Sequence, residues 1–199
     1  EIQENTMLWF CSDNGPTKVK NSWGSAGGLK GGKRSLYEGG VRVPGLLIWP
    51  KMIKEPRVVT MPSSTSDYFP TLLDLLGVPL PDRPYDGVSL LPLIKGEMTE
   101  RPKPLYFEHC FKQSLAFIDD NPENQTAVID NRYKILSIDG EKTYQLFDLL
   151  EDRGEQHNVA DQHPEIVQRM LRELEVWRLS CLDSAQKSDY SKSATEVLK

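Results

Sequence analysis

Thr6-Met7-Leu8-Trp9-Phe10-Cys11-Ser12-Asp13-Asn14-Gly15-Pro16 is a nearly uninterrupted apolar run that stops at a group of turn-forming residues. A run of this length, bounded by turn signals, predicts a strand buried on both faces, as inside a parallel sheet covered by helices. A second short apolar run, Gly45 to Trp49, follows the Arg42-Val43-Pro44 turn and predicts another strand of the same kind. Between them, residues 15–40 hold more than half of the chain's fourteen glycines and only scattered apolar residues. That composition predicts a long loop, and long loops in compact domains tend to be functional or disordered.

Moving outward, Ser63-Ser64-Thr65-Ser66-Asp67 is rich in helix-capping residues, and the apolar pattern Phe69, Leu72, Leu73, Leu75, Leu76 ends at Gly77. This predicts a helix with a start and a stop, with Pro70 falling in or near its first turn, where a missing N–H costs little. Pro79, Pro81, Pro84 and Pro92 then carry the chain with little regular structure expected. Beyond residue 104 the runs Leu105–Phe107, Thr126–Ile129, Tyr133–Ile138 and Tyr144–Leu149 are separated by turn signals such as Asp130-Asn131 and Asp139-Gly140, predicting an antiparallel sheet. From Pro164, the residues Ile166, Val167, Met170, Leu171, Leu174 and Trp177 share one helical stripe, which should cover a face of that sheet.

The fold class expected is therefore α/β. The end of a mostly parallel sheet with helices over 1–103 is followed by a small α+β subdomain over 104–183, an antiparallel sheet covered by a C-terminal helix. Residues 184–199 are polar, rich in serine and lysine, and expected to form a flexible tail. With 199 residues the chain can hold one sizeable domain, or a small one plus a piece of another. It enters its first apolar run without initiator Met, basic region or cleavage site, and so reads as the continuation of a longer chain. Exposed strands of an incomplete sheet would then favour self-association.

Hydrophobic residues make up 38%, charged residues 27%, and the net charge is −5. The mild acidity gives no support to a nucleic-acid binder, and no apolar run approaches the roughly 20 residues of a membrane span. Cys11, Cys110 and Cys181 share no metal-type spacing, so buried thiols are the plainer expectation.

The chemistry points to two places. Asp13-Asn14 at the end of the first strand offers hard oxygen ligands suited to Ca2+ or Mg2+. Both can reach one ion only if the chain turns there, and Gly15 supplies that freedom. The glycines around Lys33 and Arg34 would let the backbone approach an anion while the cations neutralise it. Alone, the first is also a common turn and the second a solvated loop.

Together they are more specific. Ser12-Asp13-Asn14-Gly15-Pro16, a glycine-rich gap, Gly31-Gly32-Lys33-Arg34-Ser35-Leu36-Tyr37-Glu38-Gly39-Gly40-Val41-Arg42-Val43-Pro44 and an apolar strand ending in Trp49-Pro50 resemble the second conserved block of type I sulfatases, of the alkaline phosphatase superfamily. Asp67 to Gly77, Asp86 to Pro92, Phe147-Asp148-Leu149 and Gly154 to Asn158 resemble later segments of that family, so the resemblance spans residues 6 to 175.

The resemblance implies that Asp13 and Asn14 ligate Ca2+, that Lys33 contacts the sulfate, and that Asp13 could assist deprotonation of the nucleophile. It also implies a formylglycine nucleophile, made from Cys or Ser in C-x-P-x-R or S-x-P-x-R; no such motif occurs in this chain. In the intact enzyme the hydrated aldehyde would attack sulfur and expel the alcohol, and the sulfated hemiacetal would eliminate sulfate. His109 is the histidine expected to line the substrate mouth, while His157 and His163 read as structural. The substrate class implied is a sulfated carbohydrate or aryl sulfate, in an extracytoplasmic compartment. The partner implied is the N-terminal part of the same protein, without which the fragment should be inactive. The alternatives are a phosphoester or phosphonate hydrolase of the same superfamily, and a non-catalytic binding or structural module.

Overall fold

A computed structural model describes residues 2–17, 24–109 and 124–188. The first apolar run forms β1 (Leu8–Cys11) and the second β2 (Gly45–Ile48), and the two pair antiparallel, Leu8 opposite Ile48 and Cys11 opposite Gly45. This register places Leu8, Phe10, Leu46 and Ile48 on one face, where each remains 45–56% exposed. On the other face the Trp9 ring packs 3.9 Å from that of Tyr68. The expectation of parallel strands covered on both faces therefore does not describe this pair. Successive side chains alternate between faces, and a short all-apolar run does not reveal how many of those faces are covered.

The helix read from Ser63 to Gly77 forms as its caps dictate. Asp67 Oδ2 accepts the Ser64 N–H at 2.7 Å, and the Ser64 hydroxyl accepts the Ser66 N–H at 3.4 Å. A 3-10 turn over Thr65–Asp67 leads into α2 (Tyr68–Leu76), preceded in chain order by the one-turn helix α1 (Glu38–Val41). Pro70 lies in the first turn of α2, and Gly77 at φ 65° closes it in the left-handed conformation. The proline-rich connection contains one further short helix, α3 (Leu91–Lys95), with Pro92 in its first turn and Gly96 at φ 82° as its cap. Helices of four and five residues are too short to leave a periodic signal, which is why α1 and α3 are not evident in the sequence.

The four expected strands are β3 (Leu105–His109), β4 (Gln125–Ile129), β5 (Tyr133–Ser137) and β6 (Gln145–Asp148), antiparallel in that order. One face of this sheet, through Leu105, Ala127, Leu136 and Phe147, packs against Leu36 and Tyr37 of the glycine-rich segment. Its other face, through Val128, Ile135 and Leu146, packs against Met170 and Leu174 of α4 (Pro164–Ala185). All six residues of the anticipated helical stripe join that second core. The sheet is thus a middle layer, clad by the helix on one side and by the lysine-bearing loop on the other.

Candidate functional site: an oxygen-donor corner locked to a glycine-rich loop

β1 delivers Ser12 to Pro16 as a sharp corner. The Ser12 hydroxyl donates to the Asn14 carbonyl at 3.1 Å, and Asp13 Oδ1 accepts the Asn14 N–H at 3.0 Å. The Asn14 side-chain amide donates to the Gly15 carbonyl at 2.9 Å, leaving its own side-chain oxygen as an acceptor. The Asp13 carboxylate is exposed. Aspartate and asparagine oxygens at a turn are a donor set suited to a hard cation.

Two backbone hydrogen bonds lock this corner to the glycine-rich block. The Gly15 N–H donates to the Gly40 carbonyl, and the Lys33 N–H to the Pro16 carbonyl, both at 2.8 Å. The approach is close enough that a Cβ on Gly15 would lie 1.8 Å from the Gly39 oxygen, so no side chain fits at Gly15. Lys33 is thereby tethered three residues beyond Asp13. Its exposed ammonium forms no ion pair among the described residues.

The next residue, Arg34, sits at φ 72°, an unusual conformation for a residue with a side chain. It is held from across the fold by Gln125, the first residue of β4 and almost fully buried. The Gln125 amide donates to the Arg34 carbonyl at 3.0 Å, and its Oε1 accepts the Leu36 N–H at 2.9 Å.

A charged network continues the clamp. Lys134 of β5, fully buried, lies 3.0 Å from Glu38 Oε1 and 2.9 Å from Glu155 Oε1. The second contact is poorly aligned for a hydrogen bond, so its attraction is mainly coulombic. Glu155 Oε2 accepts the Glu38 N–H at 2.6 Å, and the Glu155 carbonyl accepts from Lys30 Nζ at 3.3 Å. Burial pushes the Glu155 carboxyl above its usual 4.5, and the Lys134 charge opposes that shift.

His109 closes β3 directly opposite Gln125, so it neighbours the residue that clamps the loop beside Lys33. Its Nε2 is buried and has no hydrogen-bond partner among the described residues. Asp13, Asn14 and Lys33 are therefore brought together by the backbone, and His109 is linked to them through Gln125. Among the described residues no three His, Cys, Asp or Glu side chains converge to hold a metal, and Asp13-Asn14 could supply only part of a shell. Gln125, Lys134 and Glu155 are not evident in the sequence, because nothing in their spacing ties them to a loop roughly a hundred residues away. Cys11 and Cys181 are free thiols, and Cys110 lies outside the described residues. Among the described residues no helix is long and apolar enough to cross a membrane.

The Asp13-Asn14 corner is thus tied by backbone hydrogen bonds to a lysine-bearing loop, which is backed by an antiparallel sheet and a long helix. Residues 31–179 match the family described as N-sulphoglucosamine sulphohydrolase, C-terminal. The chain belongs to that family, as the C-terminal region of a type I sulfatase.

The chain is 32% identical over 203 residues to arylsulfatase A of Homo sapiens, covering 92% of this chain and 39% of that protein. To N-acetylgalactosamine-6-sulfatase of Canis lupus familiaris it is 42% identical over 105 residues, covering 51% of this chain and 20% of that protein. Its fold matches the crystal structure of Ps i-CgsB in complex with k-i-k-neocarrahexaose at a TM-score of 0.73 and 27% identity, covering 95% of this chain and 44% of that one. The chain thus spans less than half the length of each.

Proposed function

We propose that this chain supplies the metal-and-oxyanion side of a sulfate-ester hydrolase whose formylglycine nucleophile lies in a part of the protein outside this chain. The observation that carries the proposal is the backbone hydrogen bond from Lys33 N–H to the Pro16 carbonyl, which ties the lysine-bearing loop to the corner that carries Asp13 and Asn14. Asp13 and Asn14 would hold Ca2+, and their donor chemistry fits it, the remaining ligands coming from elsewhere in the intact protein. When bound, the ion supplies positive charge that stabilises negative charge on the sulfate oxygens. Lys33 would add a second, fixed positive charge at the same oxygens, and Asp13 could accept a proton from the nucleophile.

His109 would line the substrate mouth, a reading supported by its unpartnered Nε2 and its place opposite Gln125. A sulfated carbohydrate is the substrate class favoured, in keeping with the sugar named for the N-acetylgalactosamine-6-sulfatase relative and the oligosaccharide in the matched structure. An extracytoplasmic setting follows from the family resemblance alone. The open face of Leu8, Phe10, Leu46 and Ile48 is where the remainder of the intact protein would pack; without that cover the fragment would self-associate and be inactive.

The test uses the full-length protein with an aryl sulfate and a sulfated oligosaccharide. Lys33→Ala and Asp13→Ala are each expected to lower kcat/KM by about 10²–10³, the scale for removing one preorganised charge-stabilising group. Unchanged sulfate hydrolysis in both variants overturns the proposal, and preferential turnover of a phosphonate monoester selects the phosphoryl alternative.

A further inference from the structure

We propose that Gln125 is a positioning residue for Lys33, so that this residue of the C-terminal sheet sets the strength of the sulfate site without itself touching the substrate; this rests on the sulfate role of Lys33 proposed above. The argument begins at Arg34. A residue with a Cβ at φ 72° is strained and persists only where its surroundings over-determine it. A glycine would adopt the same turn without strain, and this loop has glycine at positions 31 and 32 but not at 34.

What over-determines the turn is visible on both sides. Upstream, the Lys33 N–H is fixed to the Pro16 carbonyl and the Ser35 N–H to the Gly32 carbonyl at 2.9 Å. Downstream, Gln125 receives the Leu36 N–H and donates to the Arg34 carbonyl, so one side chain fastens the peptide groups flanking Ser35. Gln125 is 2% exposed, and both ends of its amide are used on this loop. Without it, two backbone groups in a buried layer lose their partners, and the turn loses the constraint downstream of Arg34 that opposes its relaxation toward negative φ. Because Lys33 is the adjacent residue, such a relaxation rotates the peptide that carries it. The cation then leaves its position, although the sheet, α4 and their core do not depend on that peptide.

The geometry therefore separates two contributions. Lys33 supplies the charge, and Gln125 supplies the conformation in which the charge is presented. A merely structural glutamine would affect stability alone. A positioning glutamine would affect oxyanion binding and turnover, and its loss would be offset by removing the strain it holds in place.

The experiment compares the full-length protein with Gln125→Met, Gln125→Asn and the double variant Gln125→Met with Arg34→Gly, using an aryl sulfate as substrate and inorganic sulfate as competitive inhibitor. Gln125→Met is expected to weaken sulfate inhibition and to lower kcat/KM, each about 10-fold or more, a tenfold change corresponding to ~1.4 kcal/mol. Gln125→Asn, which keeps both groups on a shorter stem, should fall between it and the parent. The double variant should recover at least about half of the loss on the logarithmic scale, because glycine adopts φ 72° without the strain that a side chain brings.

Equal kinetics in Gln125→Met and the parent overturn the inference, as does a kinetic loss in Gln125→Met or Gln125→Asn that Arg34→Gly leaves untouched. If Gln125→Met does not fold, Gln125→Asn with and without Arg34→Gly carries the same comparison. A parent protein active on sulfate esters but indifferent to Lys33→Ala defeats the role assigned to Lys33. A parent active and Lys33-dependent but indifferent to Gln125 defeats only the positioning role.

Discussion

Asp67 and Arg101 form a buried bidentate ion pair: Arg101 Nη1 lies 2.7 Å from Asp67 Oδ2 and Nη2 2.8 Å from Oδ1, with both side chains at 1% exposure or less. The pair ties the start of α2 to the segment entering β3. Asp67 also accepts the N–H groups of Ser64 and Val88, and Asn131 brackets the Arg101 backbone through its N–H and carbonyl.

Removing one partner leaves the other charge buried and unpaired. Asp67→Asn is therefore expected to destabilise the protein by about 3–5 kcal/mol in denaturant unfolding. A loss below ~1 kcal/mol, within the range of a solvated surface pair, would contradict this reading.

Gly15→Ala tests the interlocked backbones of the corner. Its Cβ would meet the Gly39 carbonyl oxygen at 1.8 Å, and backbone atoms cannot move aside as a flexible side chain can. Thermal unfolding should show a loss of about 1–3 kcal/mol or more. Sulfate binding should fall as well, because the corner separates from the loop carrying Lys33. Native-like stability and binding in Gly15→Ala would show that the corner is not locked.

Much of the fold is legible in the sequence where periodicity and caps agree. Ile166 to Trp177 gives the packing face of α4 residue by residue, and Ser64, Asp67 and Gly77 mark α2. The turns at Asp130-Asn131 and Asp139-Gly140 separate β4, β5 and β6. The strand sense of β1 and β2 is not legible, because an apolar run carries no direction. Nor are the contacts that build the site: Gln125 to Arg34, and Lys134 and Glu155 to Glu38, join residues far apart in sequence whose types are common. Asp13, Asn14 and Lys33 stand out only as a linked motif, since each alone is an ordinary loop residue.

The packing of α4 gives a third expectation. Met170 and Leu174 are buried to 1% exposure or less against Val128, Ile135 and Leu146, so either residue changed to Ala should cost about 2–5 kcal/mol. Val176, 68% exposed on the same helix, should tolerate Ala within about 0.5 kcal/mol. Equal responses at buried and exposed positions would place the helix elsewhere.

Glu155 gives a pH dependence with a definite sign. Burial raises its carboxyl above 4.5, so the folded state holds the proton more tightly than the unfolded chain does. The stability linked to this group is fully present below 4.5 and declines as pH rises through the raised folded value. Glu155→Gln should remove that decline, flattening stability against pH across this window in urea titrations. A steeper decline in the variant would reverse the assignment.

Glu141 should act in the opposite direction. Hydrogen bonding from Arg178 is the main cause that lowers its carboxyl pKa, and Arg178 also bonds Glu108, so the pair fastens α4 to the sheet. This stabilisation is present above the usual value of 4.5 and is lost as pH falls through the depressed folded value. Amide protection factors in the last turns of α4, taken relative to the intrinsic exchange rate at each pH, should fall on acidification, and Glu141→Gln should abolish that acid dependence. Acid dependence that persists in Glu141→Gln would assign the effect to another carboxylate.

The most direct test is a crystal structure of the full-length protein with Ca2+ and inorganic sulfate. The expected result is one Ca2+ with oxygens of Asp13 and Asn14 at about 2.3–2.6 Å, and the Lys33 ammonium within hydrogen-bond reach of a sulfate oxygen on that ion. A calcium ion held without Asp13 and Asn14, or a sulfate bound with Lys33 turned into solvent, would contradict it.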